Sequence, residues 1–452
     1  MKIAYITGGS AGMYCGTCMH DNTLASALME RGHEVALIPT YTPLRLDEQS
    51  VADEHIFFGA LNVYLQQKAS FFRKSKMLDR VLDSRRVLGW ISKLGASSTK
   101  AEDLGALTLS MLEGEEGHQA RELEKLVDFL EEIVQPEVVH LSFTLFAGFA
   151  RRIKERLGVP VVCSLQGEDL FFDELVEPYH SRVVDVVRSR VDDIDLFTCH
   201  SQYYRGVMER YGVPANRTVP TILGIRPDGF DDADARRSRD GRGDEPVVIG
   251  YLARQCPEKG LGLLTDAFIE LARYTDPGRV RLRVAGFLGD KDRPFVEEQR
   301  RKVTEAGLLD HVDWLDAVDR PGKVDFLSSL DLFSVPAVYQ EPKGVYVAEA
   351  LASGVPVVLP DHGAFPEWIE STGGGLLVEP KNPSALAAGL RGLMDDAAER
   401  RRLGAAGRAV IQRDFNHGAM ADEMAGLYAD LVAGRPVVAA GSEGTTIDET
   451  AA

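Results

Sequence analysis

The sequence predicts an α/β protein made of two Rossmann-like parallel-sheet domains that face each other across a cleft. Three observations lead there. Short apolar runs alternate with helical segments along nearly the whole chain, the pattern of parallel strands joined by crossover helices. KIAYIT reads as a buried strand, and GGSAGMYCG, the helix DNTLASALMERG and the strand EVALIPT follow it, so residues 2–40 form one βαβ unit. A second series opens with the strand VVIGYLA, after a stretch, DGFDDADARRSRDGRGDE, that is almost without apolar residues and reads as a linker.

Size and composition agree with this. A chain of 452 residues is long enough for two domains of about 200 residues, each with a full core. Hydrophobic content of 44% and charged content of 27% are ordinary for a soluble globular protein. A net charge of −18 argues against nucleic acid as a partner, because phosphate backbones need a basic face. No apolar run approaches the ~18 residues of a membrane span, and the first strand begins too early for a signal peptide. The expected location is therefore the cytoplasm, or the inner face of a membrane as a peripheral protein. Five cysteines, an odd number, argue for reduced thiols.

The first domain is expected over residues 1–222. Its glycine-rich loop at a helix start suits a phosphate. Cys15 and Cys18 make a CxxC there; it reads as redox or metal chemistry, or as small residues packed in a tight loop. Residues 42–117 break the repeat with a helical insertion. Between Gln66 and Lys93 eight basic residues (Lys68, Arg73, Lys74, Lys76, Arg80, Arg85, Arg86, Lys93) stand against Asp79 and Asp83, with Phe71, Phe72 and Trp90 among them. That segment suits a phosphorylated acceptor or an anionic membrane surface; the alternative is a solvated helix face. The alternation then resumes through EVVHLS, PVVCSLQ, DLFTCHS and RTVPTI. His140 faces the cleft or lies in the core, and Glu168 and Asp169, after PVVCSLQ, are acceptor-side candidates or solvated, helix-capping carboxylates. Asp193 and Asp195 have the Asp-x-Asp spacing but sit at a strand start, where a structural role is expected; no metal is called for.

Residues 223–246 are expected to link this domain to a second over 247–415, with a helix at 416–434 and a disordered tail from 435 to 452. After VVIGYLA, Arg254 and Lys259 stand at the carboxyl end of a strand and beside a helix start, where cations can neutralise a diphosphate. The central stretch, LFSVPAVYQEPKGVYVAEALASGVPVVLPDHGAFPEWIESTGGGLLVEP, places Glu341 and Glu349 eight apart. Between them Gly344 allows a close turn into a helix whose first N–H groups face the crevice. A phosphate or a polyol suits that spot.

The Glu341-x7-Glu349 spacing, EALASGVPVVLPDHGAFPEWIE and GGGLLVEPKNPSAL, together with Arg254…Lys259-Gly260, resemble the donor-binding half of retaining, two-domain glycosyltransferases of the group-four class, with the GT-B architecture. The resemblance implies transfer of a hexosyl group from a UDP-, GDP- or ADP-sugar to an acceptor hydroxyl, with no further cofactor. It implies that Glu349 accepts hydrogen bonds from ribose hydroxyls and that Glu341 accepts from the sugar and supports positive charge at the anomeric carbon. Backbone N–H groups of Lys343, Gly344 and Val345 would hold sugar and phosphate, and Arg254, Lys259 and Gly16 the leaving diphosphate. It also implies that the helix at 416–434 crosses back onto the first domain. The family's Gly-Gly-x-x-x-His loop falls on Cys15 to His20, with Cys15 in place of the first glycine; Gln166 stands where a histidine is usual, and can hydrogen-bond a sugar without shuttling a proton. Two other classes stay open on the same fold: a nucleotide-sugar epimerase or sugar-phosphate phosphorylase, and a non-catalytic nucleotide-sugar-binding protein.

Overall fold

The computed structural model describes residues 1–9, 15–58, 101–230 and 245–437. The basic segment 66–93, part of the first glycine-rich loop, most of the linker and the end of the tail lie outside the described residues. The first sheet holds β1 (Lys2–Gly8), β2 (Glu34–Thr40), β3 (Val138–Leu141), β4 (Val161–Ser164), β5 (Leu196–Cys199) and β6 (Thr218–Pro220), in the order β2-β1-β3-β4-β5-β6. The second holds β7 (Val247–Leu252), β8 (Val280–Ala285), β9 (Val312–Trp314), β10 (Leu332–Phe333), β11 (Val357–Pro360) and β12 (Gly375–Val378), in the order β12-β11-β10-β7-β8-β9. Among the described residues these strands pair in parallel throughout. Each order reverses beside the first strand of its sheet, between β1 and β3 and between β7 and β10. The carboxyl ends of those strands open the crevices where such sheets hold ligands.

Local composition explains the strands. Ile3, Ala4, Tyr5 and Ile6 of β1 are fully buried because helices cover both faces of a central parallel strand, so its pattern is continuous rather than alternating. β8 alternates, burying Val280, Leu282 and Val284 while Arg281 and Arg283 stay half-buried. The first helix begins earlier than expected, at Gly16 instead of Asp21. Its opening turns bury Cys18, His20, Asp21, Asn22 and Thr23, so it shows no amphipathic stripe from which a start could be read.

Helix His417–Val432 packs on the first sheet rather than the second. Met420, Ala421, Met424 and Tyr428 share a core with Ile3, Tyr5, Leu24, Leu28 and Leu37. Tyr428 reaches the Nδ1 of His140, whose Nε2 meets Ser164 Oγ at 2.7 Å. His140 is thus fully buried beneath the sheet and does not face the cleft. Among the described residues no helix is long and apolar enough to cross a membrane.

Burial drives the His140 imidazole down to about 3 from an ordinary 6.5. The unfolded chain therefore takes up a proton at this residue near pH 6.5 while the folded chain does not; the stabilisation is full above 6.5 and is lost as pH falls toward 3. Urea unfolding should show His140→Gln removing about 2 kcal/mol of the stability lost between about pH 7 and 5. An unchanged pH dependence in that variant would mean the folded protein protonates His140 freely.

Candidate functional site

The two crevices meet in a cleft of about 460 Å³ lined from both domains. Gly16, Thr17, Asp47 and Gln166 come from the first domain; Arg254, Lys259, Lys323, Glu341, Lys343, Val345 and Glu349 come from the second. Arg254 and Lys259 follow β7, and Glu341 follows β10, so these three side chains stand beyond the carboxyl ends of neighbouring strands. Of the residues that the resemblance assigns to the site, Gly16, Gln166, Arg254, Lys259, Glu341, Lys343, Val345 and Glu349 line this cleft, and Gly344 does not.

Gly344 acts through its backbone. Its φ of 76° is left-handed, and it is the residue at which the chain turns into helix Val345–Ala352. The amide groups of that helix's first turn consequently lie at the cleft wall. Gly363, at φ 63°, lets the following loop lie against Glu341: a Cβ there would stand 2.6 Å from the Glu341 nitrogen. Ala364 N–H donates to the Glu341 carbonyl at 2.8 Å, fixing the carboxylate's backbone.

Glu341 is buried, and its Oε2 accepts from Lys259 Nζ (2.6 Å), Tyr346 (2.8 Å) and Tyr339 (2.9 Å). Burial alone would raise this carboxyl, but the Lys259 charge and the three donors outweigh it and hold it below the usual carboxylate range. The ammonium of Lys259 also lies over the Tyr339 and Tyr346 rings, 4.9 and 5.0 Å from their centroids. Glu349, one face along the same helix, accepts from Lys323 Nζ at 2.5 Å through Oε1. Lys323 pairs as well with Asp47 of the first domain, so one buried cation spans the domains between two carboxylates.

The domains are joined by further polar contacts. Lys343 Nζ reaches Thr17 Oγ1 at 3.0 Å and Gln166 Oε1 at 2.8 Å. Glu367 accepts from the N–H groups of Gln202 and Tyr203, each at 2.8 Å, and so caps helix Gln202–Glu209 from across the interface. Gln166 in turn donates to Asp21 Oδ1 (2.9 Å) and the Ser142 carbonyl (3.0 Å). Asp21 is fully buried and gathers donors from Tyr5, Thr7 and Ser142 as well. Burial raises this carboxyl, and His20 and the hydroxyl donors lower it further than burial lifts it.

One sequence expectation is corrected here and another holds. Glu168 and Asp169 are neither solvated nor at the cleft: Glu168 accepts from Thr144 and from the Gln166 N–H, and both accept from Tyr204. They brace the turn that carries Gln166. Asp193 and Asp195 pair with Arg151 and Lys154 and have a structural role, Asp195 also accepting from the Val161 N–H. Sequence reading missed Asp47, Lys323, Tyr339 and Tyr346. The two tyrosines flank Glu341 inside the central stretch and could have been marked, whereas Asp47 and Lys323 lie in segments without any motif.

Replacing Lys323 by methionine leaves Asp47 and Glu349 buried without their shared cation. Loss of one member of a buried pair costs about 3–5 kcal/mol. Urea unfolding of Lys323→Met should show a loss of that size; a loss below about 1 kcal/mol would mean that water already solvates both carboxylates.

Residues 232–410 match the family model described as Glycosyl transferases group 1, and residues 107–223 match that described as Glycosyltransferase Family 4. The chain is 28% identical over 312 residues to the D-inositol 3-phosphate glycosyltransferase of Stackebrandtia nassauensis, covering 67% of this chain and 70% of that protein. It is 30% identical over 269 residues to the phosphatidyl-myo-inositol mannosyltransferase of Mycobacterium tuberculosis, covering 58% of this chain and 64% of that one. Among solved structures, Anabaena Alr3699/HepE in complex with UDP superposes with a TM-score of 0.66 at 17% identity, over 95% of this chain and 100% of that chain. At that identity the likeness speaks for the fold.

Proposed function

For a chain that belongs to the group 1 glycosyltransferases, we propose transfer of a hexosyl group from a nucleoside-diphosphate sugar to an acceptor hydroxyl, with retention of anomeric configuration and without a metal. The observation that carries this reading is the cleft itself: two cations at a strand's carboxyl end, a helix N-terminus, and two carboxylates eight residues apart converge on one 460 Å³ space.

Each group has a task in that reaction. The donor's diphosphate gains charge as the glycosidic bond breaks, so groups that stabilise it must act more strongly in the transition state than before it. Arg254 and Lys259 supply positive charge there, and the first-turn N–H groups of helix Val345–Ala352 and the backbone at Gly16 supply donors. Those cations do the work that a divalent ion does elsewhere. Glu349 faces the nucleoside end: Lys323 engages its Oε1, and the second carboxylate oxygen accepts from ribose hydroxyls. Glu341, kept ionised by Lys259, accepts from sugar hydroxyls and stabilises the oxocarbenium-like carbon. The first domain holds the acceptor. Gln166 hydrogen-bonds there and takes no part in proton transfer, because an amide does not titrate. Names of similar proteins include inositol phosphate, phosphatidylinositol and UDP. They support a phosphorylated polyol or a lipid acceptor, which the basic segment 66–93 would help recruit by peripheral contact with an anionic membrane.

Lys259→Ala should lower kcat by about 10²–10³ with the fold intact, the usual cost of one donor to a developing anion. Turnover within about threefold of the parent would remove Lys259 from the diphosphate site. Acceptor-dependent release of nucleoside diphosphate should also continue in EDTA. Complete loss restored by a divalent ion would contradict the metal-free mechanism.

A further inference from the structure

We propose that the side chain of Lys343 selects a substrate carrying a second anionic group, a phosphate or carboxylate on the acceptor or on the transferred sugar, bound where Lys343 meets Thr17 and Gln166. This rests on the reading of the cleft as the transfer site.

The argument starts from the cations that line the cleft. Lys259 is paired with Glu341, and Lys323 with Asp47 and Glu349. Among the described residues Arg254 and Lys343 have no carboxylate in ion-pair range. Arg254 stands beside Lys259, where the donor's diphosphate takes up its charge. Lys343 stands on the other side of Glu341 and points its ammonium into the first domain, to Thr17 and Gln166. The cleft thus has cationic charge for two separate anions, and the donor's diphosphate accounts for one.

The geometry around Lys343 is that of a built site. The residue is 8% exposed, and its carbonyl accepts from the Trp368 indole N–H at 2.6 Å, so the backbone below the side chain is fixed. An ammonium has three N–H donors. Thr17 and Gln166 take two, both as neutral acceptors, and neither returns the charge that burial removes from water. Burial lowers the ammonium, and the fields of Cys15, Asp21, Glu341 and Glu168 do not restore it. An oxyanion accepting the third donor supplies what the corner lacks. Cys15 also opposes an anion there: the hydrogen bond from Cys18 brings its thiol to about 5. A thiolate can take up a proton when an anion arrives, so alkylation of Cys15 reports on occupancy. His20 Nε2 and His200 Nε2 lie buried without hydrogen-bond partners, and burial together with the Lys343 charge holds both imidazoles below their ordinary range.

A purely structural latch between Lys343, Thr17 and Gln166 is the competing role, and anion binding separates the two. The full chain is titrated with inorganic phosphate in the presence of whichever of UDP, GDP or ADP raises its Tm, so that Arg254 and Lys259 are already engaged. If none of the three raises Tm, the donor reading fails by itself and the phosphate titration is run alone. The expected result is saturable phosphate binding that slows alkylation of Cys15, is weakened about tenfold or more by Lys343→Met, and stays within about threefold in Lys343→Arg. No saturable binding, or equal affinity in Lys343→Met and the parent, overturns the proposal. Turnover then locates the anion. If it belongs to the acceptor, Lys343→Met raises KM for a hexose phosphate more than for the unmodified hexose; if it belongs to the donor sugar, the variant raises KM for UDP-glucuronate more than for UDP-glucose. A variant that moves neither ratio while phosphate affinity is unchanged leaves Lys343 as a latch.

Discussion

The ammonium of Lys323, buried between Asp47 of one domain and Glu349 of the other, is the contact on which the cleft depends. Two carboxylates drawn out of water beside each other would repel and take up protons. One shared cation removes that cost only while the domains stay together, so charge balance sets how they close. The same contact orients Glu349 and, through helix Val345–Ala352, fixes the amide groups at the cleft wall.

The other buried carboxylates follow one rule: each accepts from donors carried by other strand ends. Lys259 serves Glu341, and the tyrosines at 339 and 346 complete that carboxylate's hydrogen bonds. Asp21 anchors the first-domain side through Tyr5, Thr7, Ser142 and Gln166. Gln166 is the relay between the two sides, with its oxygen toward Lys343 and its NH₂ toward Asp21. An amide, with an acceptor at one end and donors at the other, suits a position between a cation and a carboxylate. That is a physical reason for glutamine where the resemblance leads one to expect histidine.

Much of this was legible in the sequence because it is written in short-range patterns. Parallel strands show as apolar runs, and strand-loop-helix punctuation places Gly16, Arg254, Lys259 and Gly344 at strand ends without any knowledge of contacts. Long-range partners are not written that way. Asp47 and Lys323 are 276 positions apart by their numbers, and neither sits in a motif. His140 could be either core or cleft from sequence, because VVHLS gives no sign that Tyr428 will close over it. Glu168 and Asp169 look like ligands, being acidic and beside the cleft, and only the positions of Tyr204 and Thr144 show that they brace a turn.

The central claim is that Glu349 and its helix hold the nucleoside half of a nucleotide sugar. The most direct measurement is thermal unfolding of the parent and of Glu349→Gln across a panel of UDP-, GDP- and ADP-sugars, since a ligand bound to the folded state raises Tm by mass action. The account predicts that one nucleotide series raises the Tm of the parent and that Glu349→Gln loses most of the shift. A flat response of the parent to every nucleotide sugar, or an equal shift in both proteins, would contradict it.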